Sequence, residues 1–241
     1  CNAGEEGLGN LKGVRKICED YGGRIKSFCT FDSSLSSIVD RAVGSKRFRV
    51  RVRTRGGHSY NNFGNDNAIA CLASLVGELY GIRVPEGGKT TYNVGMISGG
   101  TSVNTIAQEA EMLYEFRSDR RENLEYMERQ FMKVIDRGKS EGMDVSLEII
   151  GVRPCEGPVD PKRKQALSDW AHRVVEEMTG QAPKHCAGST DCNIPLSLGI
   201  PSVCVGSFRG AGAHTREEYV ETDSLEEGYK VAFGMIFGSR D

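Results

Sequence analysis

The chain has 241 residues, 27% of them charged, and a formal net charge of −2. That length suits one large domain or two modest ones, and balanced charge without a basic stripe argues against nucleic acid as a partner. The apolar runs are too short to span a bilayer and no secretory signal opens the chain, so a soluble, cytoplasmic protein with no membrane partner is expected.

Eight cysteines are spread over the chain, mostly inside apolar runs and without a CxxC pair. Buried free thiols fit that pattern better than a disulfide framework. The opening CNAGEEGLGNLKG reads as the end of a strand, a Gly-rich turn and the start of a helix. A domain whose opening strands precede Cys1 is expected, so the chain is read as a fragment.

Leu8, Leu11, Val14, Ile17 and Tyr21 recur at helical spacing, and the Gly-Gly after Tyr21 ends the helix. A short strand-like run then leads to Asp32. From Arg47 the alternation is strict: Phe48, Val50 and Val52 face one way, Arg47, Arg49, Arg51 and Arg53 the other, as in a strand with one wet face. After a polar, Gly-rich loop, Ile69, Leu72, Val76 and Leu79 predict an amphipathic helix capped by Asn65 or Asp66. Alternation predicts strands at Tyr92–Met96, Ala110–Phe116 and Val145–Ile149, with a helix over Leu124–Val134 between the last two. Strand, helix, strand, strand, helix, strand is the split βαβ, ferredoxin-like plan.

After Pro154 the pattern changes. Leu167, Trp170, Val174 and Met178 predict a helix, and IPSVCVG predicts a buried parallel strand. A Gly-rich loop and a closing helix through Leu225 and Ile236 follow. The expectation is an α+β module, residues 46–152, inserted into an α/β domain formed by residues 1–45 and 153–241.

Glu5 and Glu6 stand between a predicted strand and a helix start, where carboxylates are also common caps. Asp32 ends the next strand, and His214 lies in a Gly-rich loop after a later one. Open α/β sheets gather functional groups outside the carboxyl ends of their strands. Asp, Glu and His suit a hydrolytic Zn²⁺, and an unligated glutamate beside the metal is what deprotonating a water requires.

GEEGLGNLKG, GGHSYNNFGNDNAI, GGTSVNTIAQEAEMLYEFRSD and GAGAHTREEYV, in that order, resemble the successive motifs of the M20 family of metallopeptidases and amidohydrolases. The resemblance covers nearly the whole chain. It implies an α/β zinc-peptidase catalytic domain, incomplete here, with an inserted α+β ferredoxin-like lid or dimerisation domain, and a homodimer formed through residues 46–152. It also implies two zinc ions in the complete enzyme, with manganese or cobalt as alternatives. Glu5 would be the general base, Glu6 and His214 would ligate one ion and Asp32 the other. His58 would stabilise the oxyanion in a neighbouring subunit's site, while Asn104 and Arg117 would hold the substrate, the latter by its planar fork. The loop around Gly210 and Gly212 would offer N–H groups. Each has a plainer alternative: His58 as a loop histidine, Arg117 as a solvated strand residue, Asn104 as a turn cap. His172 and His185 match no motif and are expected to be structural. Asp191, in GSTDCNIP, resembles a loop near the family's site and is assigned no metal.

The family's H-x-D motif, which precedes the glutamate pair, is absent from these 241 residues. The expected function is metal-dependent hydrolysis of a peptide or N-acyl amide bond in a small substrate, with a short-peptide aminopeptidase or dipeptidase chemistry first. This chain alone is expected to be inactive for want of ligands. A non-catalytic dimerisation module and a peptide or amino-acid binding module remain as alternatives.

Overall fold

The computed structural model describes residues 2–213 and 215–238, apart from the side chain of Leu8. A 3-10 turn (Gly7–Gly9) precedes α1 (Lys12–Tyr21), a second such turn (Gly22–Arg24), β1 (Phe28–Phe31), β2 (Ser37–Ala42), β3 (Gly44–Arg53), β4 (Gly57–His58), α2 (Ala68–Tyr80), β5 (Thr90–Gly99), β6 (Thr105–Ile106), β7 (Glu109–Ser118), α3 (Arg121–Ser140) and β8 (Asp144–Arg153). The chain continues through α4 (Pro161–Thr179), β9 (Lys184–Gly188), α5 (Asn193–Ser197), β10 (Ser202–Val205), β11 (Arg209–Ala211), β12 (Tyr219–Glu221), a third 3-10 turn (Thr222–Ser224) and α6 (Leu225–Phe237). They form two compact units, Cys1–Val43 with Arg153–Asp241, and Gly44–Val152. Among the described residues, no helix is long and apolar enough to cross a membrane.

In the first unit a four-stranded sheet runs β1-β10-β2-β9. Strand β10, the IPSVCVG run, is parallel to β1 but antiparallel to β2, and β2 is parallel to β9. The expectation of a parallel strand therefore holds on one side only. On one face Ile38, Val203 and Val205 pack against Trp170, Ala171 and Val174 of α4 and Val231 and Met235 of α6. On the other, Val39, Ala42 and Cys204 meet Cys192 and Leu196. Covering both faces explains why all four β10 side chains are buried. Helix α4 starts cleanly because Asp160 accepts from the Lys162 and Arg163 amides and Pro161 needs no N–H partner there.

Asn193, fully buried, ties together the two segments that lead out to and back from the second unit. Its Nδ2 donates to the carbonyls of Val43 (2.8 Å) and Pro154 (2.9 Å), and its Oδ1 accepts from the Thr190 amide.

In the second unit the sheet order is β5-β7-β3-β8, which with the order of elements along the chain is the ferredoxin-like arrangement. Phe48 of β3, Tyr114 and Phe116 of β7 and Phe131 of α3 form an aromatic core, with Phe48 and Phe131 centroids 4.4 Å apart. The opposite face is a charged ladder in which Arg47 pairs with Glu115 (3.2 Å), Arg51 with Glu111 (2.7 Å) and Arg49 with Glu148 (2.6 Å). Helix α2 is capped by Asn67, whose Oδ1 accepts from the Ile69 and Ala70 amides, rather than by Asn65 or Asp66. Asn65 instead spends its amide on the Gly56 carbonyl.

Candidate active site

Glu5 and Glu6 lie at the tip of a loop pressed against the start of α1. The Lys12 and Gly13 amides donate to the carbonyls of Gly4 and Ala3, and a Cβ on Gly9 would come within 2.6 Å of Gly4, so only glycine permits the approach. Asn10 and Leu11 both take positive φ, 51° and 64°. For a bulky leucine that backbone is strained, and the strain is offset by complete burial of its side chain with Val14, Cys18 and Ile194. The glutamate pair thus stands on a rigid support.

Glu5 is held by Arg153, the last residue of β8, which is 5% exposed. Arg153 Nη1 donates to Glu5 Oε1 (3.0 Å) and to Ser189 Oγ (3.2 Å), and Nη2 donates to the Glu5 carbonyl (2.7 Å). Burial raises the Glu5 carboxyl above its ordinary value. Arg153 opposes the rise, and the nearby charges of Glu6, Asp32 and Asp191 add to it. Asp191 is itself buried: one oxygen accepts from Asn2 Nδ2 (2.8 Å), and Oδ1 has no partner. Asp32 immediately follows β1, and its carbonyl receives the Cys204 thiol.

The cluster therefore concentrates four carboxylates. A raised pKa brings Glu5 nearer to the working range of a general base. Crowded carboxylates with an orphaned oxygen are donors of the kind a divalent cation takes, so the residues fit such an ion in chemistry. Among the described residues, however, no three His, Cys, Asp or Glu side chains are placed to hold one ion together. His214, the expected partner of Glu6, lies outside the described residues.

In the second unit the structure brings His58 and Asn104 together. Strand β4 pairs with β6, His58 opposite Thr105, and the Ser59 amide donates to the Asn104 carbonyl (2.9 Å). His58 Nδ1 accepts from the amides of Tyr60 (3.2 Å) and Asn61 (3.4 Å). An accepting Nδ1 places the proton of the neutral ring on Nε2, which leaves a donor on an exposed side chain. Arg117 is not free: it pairs with Glu115 on the same strand, Nε to Oε1 at 2.9 Å and Nη2 to Oε2 at 3.1 Å. Burial raises Glu115, but the hydrogen bond and charge of Arg117, with Arg47, outweigh it and hold the carboxyl below its ordinary value. Gly210 pairs with Val220 in the β11–β12 hairpin, and Gly212 takes φ 75° at its tip.

Sequence reasoning gave no role to Arg153 or Ser189 and none to Asp191. The signal for Arg153 was an arginine closing the alternating run VSLEIIGVR, but its partner lies 148 residues away.

Comparison with known proteins agrees with this architecture. Residues 42–143 match the peptidase dimerisation domain of the M20 type. The chain is 26% identical over 228 residues to a Haemophilus influenzae homolog of one subunit of p-aminobenzoyl-glutamate hydrolase, covering 87% of this chain and 51% of that protein. It is 27% identical over 167 residues to a succinyl-diaminopimelate desuccinylase of Nitrosospira multiformis, covering 67% and 42%. Among solved structures, the aminopeptidase PepT of Bacillus cereus superposes with a TM-score of 0.72 at 22% identity, covering 98% of this chain and 62% of that one. A tripeptidase of Staphylococcus aureus gives 0.70 at 19%, covering 94% and 60%. The chain therefore carries an M20-type peptidase dimerisation domain over residues 42–143 and has the fold of these solved peptidases, an α/β unit with that domain inserted. It spans about half the length of the curated relatives it matches.

Proposed function

We propose that this chain is part of a metal-dependent hydrolase that cleaves a peptide or N-acyl amide bond in a small substrate, short peptides first. The observation that carries the proposal is Glu5: a carboxylate of raised pKa, fixed by a buried arginine among three further carboxylates, in a chain that carries the M20-type dimerisation domain. The names of its relatives span peptides (a tripeptidase) and acylated amino compounds (a desuccinylase), which is the substrate range proposed.

Glu6, Asp32 and His214 would hold divalent metal, zinc in the first instance. Bound there, it would polarise the scissile carbonyl and acidify the attacking water. Glu5 takes the proton of that water and returns it to the leaving amine. The Nε2–H of His58, carried on the dimerisation domain of a second copy, donates to the oxyanion. Asn104, positioned beside His58, and the N–H groups around Gly210 and Gly212 orient the substrate. Arg117 binds a substrate carboxylate only if it gives up part of its pairing with Glu115. Three donors cannot serve two ions, since a catalytic zinc takes three protein ligands, so turnover is expected to need further donors.

The test is hydrolysis of a panel of short peptides and N-acyl amino acids by the full-length protein, with chelator and with added zinc. Zinc-dependent turnover is expected. Saturable binding of the panel without turnover would favour a binding module instead.

A further inference from the structure

His172 of α4 and His185 of β9 face each other on residues that the proposed chemistry does not use. His172 Nδ1 lies 2.9 Å from His185 Nε2. The rings are within 4° of parallel with centroids 5.2 Å apart, which is the nitrogen–nitrogen gap plus the two ring radii, so they meet edge to edge. The outer nitrogen of each ring has a carboxylate beside it: Asp40 Oδ2 is 2.7 Å from His185 Nδ1, and Glu176 Oε2 is 3.8 Å from His172 Nε2. Ser168 Oγ also donates to Asp40 Oδ2, at 2.8 Å, which fixes that carboxylate.

The tautomers follow. A carboxylate oxygen only accepts, so His185 carries its proton on Nδ1 and presents a lone pair from Nε2. His172 must then donate from Nδ1. If the His172 proton moves from Nδ1 to Nε2, toward Glu176, two lone pairs face each other, each on an imidazole backed by a carboxylate. For His185 that is the carboxylate–histidine arrangement that orients metal ligands and raises their basicity; for His172 the Glu176 carboxylate at 3.8 Å must close in to make the same hydrogen bond. With metal–nitrogen bonds of about 2.0–2.1 Å, an ion held at a tetrahedral angle needs the inner nitrogens roughly 0.4–0.5 Å further apart and both rings turned so that their lone pairs converge on it, a motion open to side chains that are about one-third exposed.

We propose that His172 and His185 form a two-histidine site for a borderline divalent cation such as Zn²⁺, Ni²⁺ or Cu²⁺, with solvent completing the shell. The bound ion would clip α4 to β9, the edge strand of its sheet. No net proton is released from the pair, because the His172 proton only changes nitrogen.

The chain has four histidines, so ¹⁵N-histidine NMR can follow each one. Zn²⁺ added to chelator-stripped protein is expected to shift the His172 and His185 nitrogens and to switch His172 to the Nε2–H tautomer. In calorimetric titrations His172→Gln and His185→Gln should each lose one Zn²⁺ equivalent relative to wild type, while Glu6→Gln retains it. Asp40→Asn should weaken that equivalent by roughly 10–100-fold, as loss of a supporting carboxylate does. Equal stoichiometry in wild type and both histidine variants, or unmoved His172 and His185 signals at millimolar Zn²⁺, would overturn the proposal.

Discussion

Replacing Arg153 by methionine removes the cation that holds Glu5 while keeping a long apolar side chain in its place. Four contacts are lost: Glu5 Oε1, the Glu5 carbonyl, and the carbonyl and hydroxyl of Ser189. Breaking a fully buried ion pair by removing one partner costs about 3–5 kcal/mol. The Glu5 side chain is 18% exposed, so the lower end, about 3 kcal/mol, is expected at neutral pH. The pH dependence gives the sharper test. Glu5 has a folded pKa raised above its ordinary value, because burial and neighbouring carboxylates disfavour its charged form. Stability attached to this group is complete below that value and is lost as pH rises through the folded pKa. Without Arg153 the folded pKa rises further and the loss grows. At about pH 4, below that ordinary value, Glu5 is mostly protonated and the substitution removes the hydrogen bonds without the ion pair, so the loss is smaller than at neutral pH. Urea unfolding with chelator present, followed by the fluorescence of Trp170, the chain's single tryptophan and buried in the first unit, reads the difference. A larger ΔΔG at pH 7 than at pH 4 is expected. The same ΔΔG at both pH values would refute the electrostatic reasoning.

Asn193→Ala removes three buried hydrogen bonds and strands the Val43 and Pro154 carbonyls, so a loss of about 2–4 kcal/mol, from one to two unsatisfied groups, is expected in the same assay. Phe131→Ala opens the aromatic core of the second unit beside Phe48 and Tyr114; the expected loss is about 3–5 kcal/mol, and a value under half of that would mean the core closes over the cavity. Gly228→Ala forces a methyl to within 1.8 Å of the Ser207 carbonyl, so helix α6 must shift and the melting temperature must fall. Self-association through residues 44–152 is expected in sedimentation, and a strict monomer at tens of micromolar would count against the dimer.

Strict alternation made the second unit legible in the sequence. Phe48, Val50 and Val52 are buried while Arg47, Arg49 and Arg51 are not, because one face of the sheet packs on helices and the other meets water. Strands β2 and β9 were not legible. SIVDRA and KHCAG carry no period-2 pattern, and their order comes from pairing with each other and with β10, information that is tertiary. The same limit hid the cap at Asn67, since a choice among three polar neighbours depends on which side chain Gly56 claims. At the candidate site the glutamate pair was visible because glycines bracket it. Its counter-cation was not, because an arginine's partner cannot be read from a run in which arginines also face solvent. His172 and His185 stood apart from every motif, and the Asp40 that aligns His185 lies 145 residues before it.

The proposed hydrolysis depends most heavily on Glu5 as its proton carrier. The measurement that reaches it directly is turnover by Glu5→Gln in the active, zinc-loaded protein, with metal content measured in the same samples. Metal content unchanged and hydrolysis reduced by at least roughly 10²–10⁴-fold, the range for loss of a general base, is the expected result. Activity near that of wild type at equal metal content would contradict it.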